Sequence, residues 1–195
     1  MSEVKLLAFS GSLRVGSYNQ RLLNIASGLA RDAGAEVTAI ALRDFHLPLY
    51  DADLEAEGFP ETAERLRNLF VGHDGFLIAS PEFNGSVSGA LKNAIDWASR
   101  PRPGDPGPLP AFRGKVAGIM SASISSSGGL RGLLALRQIL GTIQTLVATE
   151  QVMVPFAERA FDGAELTDRM PRQMLPGLVN RVVFLAKALK TGLAN

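Results

Sequence analysis

Cysteine is absent from this chain of 195 residues. That absence excludes disulfide bonds, thiolate nucleophiles, iron–sulfur clusters and cysteine-ligated zinc, and it is compatible with a reducing compartment. Histidine is scarce, because His46 and His73 are the two in the sequence and they lie in separate segments. We therefore expect no metal site, since metal ligands usually cluster at short, regular spacings.

Neither sign of charge dominates the sequence, and long apolar runs are also missing. Lys and Arg number 20 against 19 Asp and Glu, which gives a net charge of +1. Nucleic acid favours a basic stripe and a small electron shuttle carries a strongly acidic surface, so both classes are disfavoured. The apolar runs are too short for a transmembrane helix or a signal peptide. We expect no membrane partner and a soluble protein of the cytoplasm.

Short apolar runs alternate with helical periodicity five times along the chain. Strands are predicted at 4–9, 36–42, 75–79, 115–120 and within 145–154. Helices are predicted at 17–34, 60–72, 91–98, 130–140 and 171–191. The stretches 44–59 and 101–114 are predicted as loops, because the first is polar and the second holds five of the eleven prolines. This alternation predicts an α/β fold of one domain, residues 1–195, with a doubly wound five-stranded parallel sheet.

A loop of small residues follows the first strand and leads into the first helix. Gly11 and Gly16 have the spacing of a nucleotide P-loop, but Ser17 and Tyr18 stand where that motif needs Lys and then Ser or Thr. The loop has no G-x-G-x-x-G pattern either, which argues against dinucleotide binding. A helix N-terminus presents unpaired N–H groups, and Arg14 adds a guanidinium suited to phosphate oxygens. The loop therefore predicts a site for a single phosphate group.

An ordinary capped turn explains part of the same pattern. Ser17 and Gln20 fit the S-x-x-Q capping box, in which the serine caps its own helix and needs no ligand. Capping gives Arg14 no role, and this favours the anion site while leaving the capped turn as an alternative.

Two further loops leave the carboxyl ends of predicted strands. SPEFNGSVSG, at 80–89, follows the third strand, and SASISSSGG, at 121–129, follows the fourth. In the strand order 2-1-3-4-5, strands one, three and four are neighbours, and ligands of such sheets bind beyond the carboxyl ends. The three loops are therefore expected to meet in one cleft.

The segments around these loops resemble a known family. They are FSGSLRVGSYNQ at 9–20, SPEFNGSVSGALKNAIDWASR at 80–100, FHLPLYDAD at 45–53 and VMVPFAERAFD at 152–162. Together they resemble the NAD(P)H-dependent FMN reductases, a family of small flavodoxin-like quinone, chromate and azo-dye reductases. The resemblance covers nearly the whole chain and implies a flavodoxin-like sheet in the order 2-1-3-4-5.

The same resemblance implies an FMN site built from the three loops. Carried over by position, the residues that hold the phosphate are Ser12, Arg14, Ser17 and Asn19, with Ser10 and Leu13 lining the loop. The residues that run along the flavin ring are Pro81, Glu82, Phe83, Asn84 and Gly85, and Ser121 approaches from the fourth strand.

The sequence departs from the family pattern at two of these positions. Phe83 stands where many relatives have Tyr, which removes a phenolic hydrogen bond, and Ser88 stands where many have Pro. We expect the serine to loosen the start of the third helix. Simpler interpretations also exist, because Asn84–Gly85 is an ordinary turn dipeptide and a glutamate on a loop, such as Glu82, is usually a solvated charge.

By this resemblance, the chain is expected to be an enzyme that uses FMN as its cofactor. It would take a hydride from NADPH or NADH and pass electrons to a quinone, flavin, azo dye or chromate, with no side chain needed as a catalytic acid or base. The resemblance also implies a homodimer or homotetramer. Two alternatives remain: a flavin-binding electron carrier or redox sensor without turnover, and a binder of a single-phosphate sugar or nucleotide without flavin.

Overall fold

The computed structural model describes residues 3–192. Its strands are β1 (Val4–Ser10), β2 (Ala35–Ala41), β3 (Gly75–Ala79), β4 (Val116–Ala122), β5 (Leu146–Val154), β6 (Phe161–Asp162) and β7 (Glu165–Leu166). Its helices are α1 (Tyr18–Asp32), α2 (Ala52–Glu57), α3 (Glu61–Val71), α4 (Gly89–Ala98), α5 (Leu130–Thr142), α6 (Ala157–Ala160) and α7 (Arg169–Gly192). A 3₁₀ turn spans Leu42–Phe45.

Strands β1 to β5 form one parallel sheet in the order β2-β1-β3-β4-β5. The predicted order is therefore confirmed, and helices connect the successive strands as parallel pairing requires. Strands β6 and β7 form a separate antiparallel hairpin after α6. The sequence analysis missed this hairpin, because strands of two residues are too short to show any periodicity.

The central strand β1 contributes side chains to two separate cores. Leu6 and Ala8 are buried with side chains of α1 and α7 on one face of the sheet. Leu7 and Phe9 are buried with side chains of α3, α4 and α5 on the other face. The unbroken apolar run of β1 is thus explained by helices that cover both faces of the sheet.

The polar stretch 44–59 was predicted as a loop, and this prediction was wrong in part. It contains the end of the 3₁₀ turn and all of α2, whose N-cap Asp51 accepts a hydrogen bond from the Asp53 N–H at 2.8 Å. None of the six residues of α2 is buried, so the sequence carries no apolar stripe to reveal the helix. The proline-rich stretch 101–114 has neither helix nor strand, as predicted.

The fold brings three loops to one edge of the sheet. Because β1, β3 and β4 are adjacent and parallel, the segments that follow them leave the same edge side by side. Strand β4 continues to Ala122, two residues beyond the predicted end at Met120, and this places Ser121 inside the strand. Within residues 3–192, no helix combines the length and apolar character needed to cross a membrane.

Candidate cofactor site

A cavity of about 560 Å³ lies at the carboxyl edge of β1, β3 and β4. Its size falls within the range of roughly 300–1,000 Å³ that is common for small-molecule sites. Eight of the predicted site residues line it: Ser12, Leu13, Arg14, Ser17, Asn19, Pro81, Glu82 and Phe83. Eight other residues also line it: Gly11, Tyr18, Ser88, Gly89, Ala90, Ala122, Ser123 and Ile124. The predicted residues Ser10, Asn84, Gly85 and Ser121 lie near this cavity but outside its lining.

The start of α1 lacks the side-chain cap that the capping-box alternative requires. Ser17 occupies the N-cap position, but its side chain makes no capping hydrogen bond. The Gln20 amide instead donates to Asn24 Oδ1 at 3.0 Å. The S-x-x-Q capping box is therefore not formed, and the partial positive charge of the helix start is available to an anion in the cavity.

Two serine hydroxyls fix the shape of the loop that precedes α1. Ser10 Oγ accepts the Ser12 N–H at 3.2 Å, and Ser12 Oγ accepts the Arg14 N–H at 3.3 Å. Ser10 is buried, so it supports the loop from beneath, whereas Arg14 is exposed at the cavity. Local side-chain to backbone bonds of this kind stabilise turns, and here they leave the guanidinium of Arg14 accessible.

Ser88 joins this loop to the start of α4. Its hydroxyl donates to the Gly11 carbonyl oxygen at 2.6 Å and accepts the Leu91 N–H at 3.2 Å. The expectation that serine loosens the helix start was wrong, because this hydroxyl supplies an N-cap that proline lacks. Gly11 permits this loop to approach α4 closely, since a Cβ at position 11 would lie only 3.0 Å from Leu91 Cβ and 3.2 Å from Pro81 Cδ.

Asn19 connects the first turn of α1 to the end of β4. Its side-chain N–H donates to the Ala122 carbonyl oxygen at 2.8 Å, and its Oδ1 accepts the Ala122 N–H at 3.0 Å. Both bonds are buried. The structure thus gives Asn19 a positioning role between two of the three loops, in addition to its place in the cavity wall.

The loop after β3 contains a tight turn. Phe83 and Ser86 exchange two backbone hydrogen bonds, at 2.9 and 3.0 Å. Asn84 and Gly85 form the tip, with φ of 50° and 77°, the left-handed conformation that Asn-Gly adopts in two-residue turns. The turn interpretation of this dipeptide is therefore confirmed. Phe83 lies at the cavity with its side chain 58% exposed.

Glu82 is not the solvated loop charge that was the simpler interpretation. Its side chain is 7% exposed and accepts hydrogen bonds from the Gly132 N–H at 3.1 Å and from Arg131 Nε at 2.9 Å. Burial of the carboxylate raises its pKa, but the Gly132 N–H and the Arg131 guanidinium outweigh burial and hold the pKa below its usual value. Glu82 is therefore ionised at neutral pH and caps the start of α5, where Gly129 has no side chain to do so.

Ser121 lies behind the cavity wall. Its hydroxyl is fully buried and has no hydrogen-bond partner among residues 3–192. Gly129 packs directly above it, since a Cβ at Gly129 would lie 2.0 Å from Ser121 Oγ. The cavity is lined instead by Ser123 and Ile124, which follow β4 in the serine-rich loop. That loop was expected to approach the site, but its sequence did not indicate which of its residues line the cavity.

The groups around this cavity fit a phosphate ester that carries a flat ring. The uncapped start of α1, the hydroxyls of Ser12 and Ser17 and the guanidinium of Arg14 are suited to phosphate oxygens. Pro81 and Phe83, which follow β3, supply apolar surface in the same cavity, and a flat ring can pack against it. These residues therefore fit FMN.

A parallel sheet in this order, with such a cradle beyond its carboxyl edge, defines a flavodoxin-like FMN-binding protein. Comparison with known proteins agrees with this class. The chain belongs to the NADPH-dependent FMN reductase family, whose sequence model matches residues 4–159.

Several relatives are similar over most of their length. An NAD(P)H-dependent FMN reductase of Pseudomonas aeruginosa is 40% identical over 176 residues, which cover 89% of this chain and 90% of that protein. A quinone reductase of Escherichia coli K12 is 41% identical over 150 residues, or 75% of each chain. Among solved structures, the NAD(P)H:acceptor oxidoreductase FerB of Paracoccus denitrificans superposes with a TM-score of 0.78 and 28% identity, covering 95% of this chain and 98% of FerB.

The expected activity and cofactor are thus confirmed at the level of the family. The chain is an FMN-dependent NAD(P)H oxidoreductase. This excludes the alternative of a phosphate binder without flavin, and it favours turnover over a carrier role.

Proposed function

We propose that this protein binds the FMN phosphate in the β1–α1 loop and reduces a small-molecule acceptor, of which a quinone is the first candidate. One observation carries the site assignment: the uncapped start of α1, Ser17 and Arg14 open into the same cavity as Pro81 and Phe83. The quinone reductase of E. coli at 41% identity supports the choice of acceptor.

Bound in this cavity, FMN would supply the hydride and electron transfer between NAD(P)H and the acceptor. The chain supplies binding and orientation for this chemistry. Arg14 and the start of α1 neutralise the phosphate charge, while Ser12 and Ser17 donate hydroxyl hydrogen bonds to its oxygens. Pro81 and Phe83 would offer apolar surface to the ring, and because Phe83 is exposed, this part of the cavity would be open to NAD(P)H and then to the acceptor.

The ring-side loop has a limited number of free backbone donors. The N–H groups of Phe83 and Ser86 are used within the turn, so donors to the ring come from other backbone groups of this loop and the loop after β4. Glu82 remains ionised and paired to Arg131, and it acts as a fixed support without transferring protons. No side chain at the cavity is assigned a role as catalytic acid or base.

Assembly and location complete the proposal. We assign a homodimer or homotetramer, supported by the exposed leucines Leu130 and Leu134, which lie one turn apart on α5. We assign the cytoplasm, because a chain without cysteine suits a reducing compartment. We also propose that residues 1–195 form one domain.

The test of the site is FMN binding by the purified protein and by the variant Arg14→Ala. We expect a yellow protein whose flavin absorbance is bleached by NADH or NADPH without oxygen. Loss of a charged hydrogen bond of about 1.5–3 kcal/mol should weaken FMN binding roughly ten- to hundredfold in Arg14→Ala. Arg113→Ala is the matched control, because Arg113 is also exposed but lies in the proline-rich loop away from the cavity.

Three results would contradict this proposal. A protein that stays colourless with excess FMN would show that the cavity binds another ligand. A bound flavin that does not respond to NADH or NADPH would favour an electron carrier. An FMN dissociation constant unchanged by Arg14→Ala would remove Arg14 from the phosphate site.

A further inference from the structure

A separate cavity, of about 390 Å³, lies where α1, the β6–β7 hairpin and the beginning of α7 meet. We call it the hairpin cavity. It shares no described lining residue with the cofactor cavity. Its size falls within the range of roughly 300–1,000 Å³ that is common for small-molecule sites. The hairpin cavity is therefore large enough to take a ligand of its own.

The hairpin that forms one wall of this cavity is anchored to α1. Arg21 Nη1 donates to the Gly163 carbonyl oxygen at the hairpin turn, at 2.9 Å. The ring of Tyr18 stacks on the ring of Phe161, with centroids 5.8 Å apart. These contacts hold the hairpin against the helix, so the cavity is formed before a ligand arrives and little ordering is needed on binding.

Aliphatic side chains from all three elements line the hairpin cavity. Those of α1 are partly buried, and those of β7 and α7 are buried; they are Ile25, Leu29, Leu166 and Leu175. The apolar part of a ligand can leave water by packing against these side chains.

Two groups of opposite charge line the same cavity. Glu165 on β7 and Arg172 on α7 are both exposed. Within residues 3–192, neither of them forms an ion pair with the other or with a third residue. Both charges are thus available to a ligand.

Pro176 adds a backbone acceptor to the same wall. Proline has no N–H, so Pro176, which lies inside α7, does not donate to the Arg172 carbonyl oxygen one turn earlier. Both residues line the cavity and therefore share one face of the helix. On this face α7 presents a guanidinium and a carbonyl oxygen that lacks its usual helical donor.

We propose that the hairpin cavity binds a small zwitterion with an apolar side chain, which is the chemistry of a free α-amino acid such as phenylalanine. The ligand carboxylate pairs with the Arg172 guanidinium, and the ammonium group donates to the Glu165 carboxylate and the Arg172 carbonyl oxygen. The side chain packs against the leucines. A ligand with a charge of one sign fits less well, because it would meet a like charge in the cavity. This site is separate from the oxidoreductase site, and its assignment does not rest on the function proposed above.

The experiment is isothermal titration calorimetry of the holoprotein in excess FMN, so that the cofactor cavity is already filled. Three probes share a phenyl ring: L-phenylalanine, 3-phenylpropionate, which lacks the ammonium group, and 2-phenylethylamine, which lacks the carboxylate. We expect L-phenylalanine to bind about fivefold more tightly than either analogue, the effect of losing one exposed ion pair.

Two variants remove the charges one at a time. Arg172→Gln should weaken L-phenylalanine binding about fivefold without weakening 2-phenylethylamine, and Glu165→Gln should weaken it about fivefold without weakening 3-phenylpropionate. Arg169→Gln and Glu158→Gln are the matched controls, because both residues are exposed and lie outside the cavity lining. The controls should leave all three affinities unchanged. All four variants should retain FMN binding, since none of these residues lines the cofactor cavity.

The proposal is overturned if L-phenylalanine does not bind, or if the three probes bind equally, which would show that the charges play no part. Tighter binding of 3-phenylpropionate would assign the cavity to an anion, and tighter binding of 2-phenylethylamine would assign it to a cation. Equal effects of the cavity variants and their controls would place the bound probe elsewhere on the protein.

Discussion

The hydroxyl of Ser88 offers a sharp test of how the cofactor site is held together. The residue is buried, and its Oγ donates to the Gly11 carbonyl oxygen while accepting the Leu91 N–H. Ser88→Ala removes both bonds with little change in volume. We expect a protein that folds and is measurably less stable.

The magnitude follows from the two lost bonds. Loss of a serine N-cap costs about 1 kcal/mol, and a buried carbonyl left without a donor costs about 1–3 kcal/mol. We therefore expect the unfolding free energy of the apoprotein to fall by about 2–3 kcal/mol. Because Gly11 belongs to the anion-binding loop, the FMN dissociation constant should also rise, roughly three- to tenfold, or about 0.6–1.4 kcal/mol.

Urea unfolding of the apoprotein and FMN titration measure these two effects. Ser99→Ala is the matched control at the other end of α4, where the Ser99 hydroxyl donates only to the Asp96 carbonyl oxygen of the same helix at 2.9 Å. It should lower stability by less than about 1 kcal/mol and leave FMN binding unchanged. An unfolding free energy of Ser88→Ala within about 0.5 kcal/mol of wild type would show that the hydroxyl does not connect the loop to α4.

Three further predictions concern polar groups around the sheet. Asn19→Ala leaves the buried N–H and carbonyl of Ala122 without these partners. The free energy of unfolding measured in urea should therefore fall by about 2–4 kcal/mol. Glu82→Gln should lose its pairing to Arg131 and destabilise the protein at pH 7 by about 1–2 kcal/mol. Since the pKa of Glu82 is depressed in the folded protein, the difference in unfolding free energy between wild type and Glu82→Gln should shrink as the pH falls below the ordinary pKa of a glutamate. Burial lowers the pKa of Lys115 from 10.5 to about 8, so the unfolded chain binds more protons between these values. Unfolding free energy should therefore rise with pH across that interval, by about 3 kcal/mol at most, and Lys115→Met should abolish this component of the slope.

Much of the fold could be predicted from the sequence, because the central strands β1, β3 and β4 are buried on both faces. The apolar run in β3 predicted its bounds, and the run in β1 predicted its start, since all five residues of β3 and six of the seven residues of β1 are buried. Element ends were less predictable. Strand β4 extends through Ser121 and Ala122 because both pair with β5, opposite Met153 and Val154, a tertiary effect that a serine in the sequence does not indicate.

The candidate site was predictable in its loops but not in its internal bonds. Helix starts and small-residue loops have local signatures, so an anion site in the segment around Arg14 could be proposed from its residue types. The hydrogen-bond partners of Glu82 and Ser88 could not be predicted, because Gly132 is 50 residues from Glu82 and Gly11 is 77 residues from Ser88. A glutamate or serine on a loop has the same local pattern whether it is solvated or bonded across the sheet.

The three loops of the site are each anchored by one buried or nearly buried polar side chain. Ser88 binds the Gly11 carbonyl oxygen, Asn19 binds the backbone of Ala122, and Glu82 binds the N–H of Gly132. The Ser88 and Glu82 bonds join elements that follow different strands, and the Asn19 bonds join α1 to the end of β4, so together they fix the distances between the loops before any ligand arrives. A preformed cradle loses less conformational entropy on binding than a mobile one. FMN affinity should therefore depend on all three anchors, including those whose side chains make no contact with the phosphate.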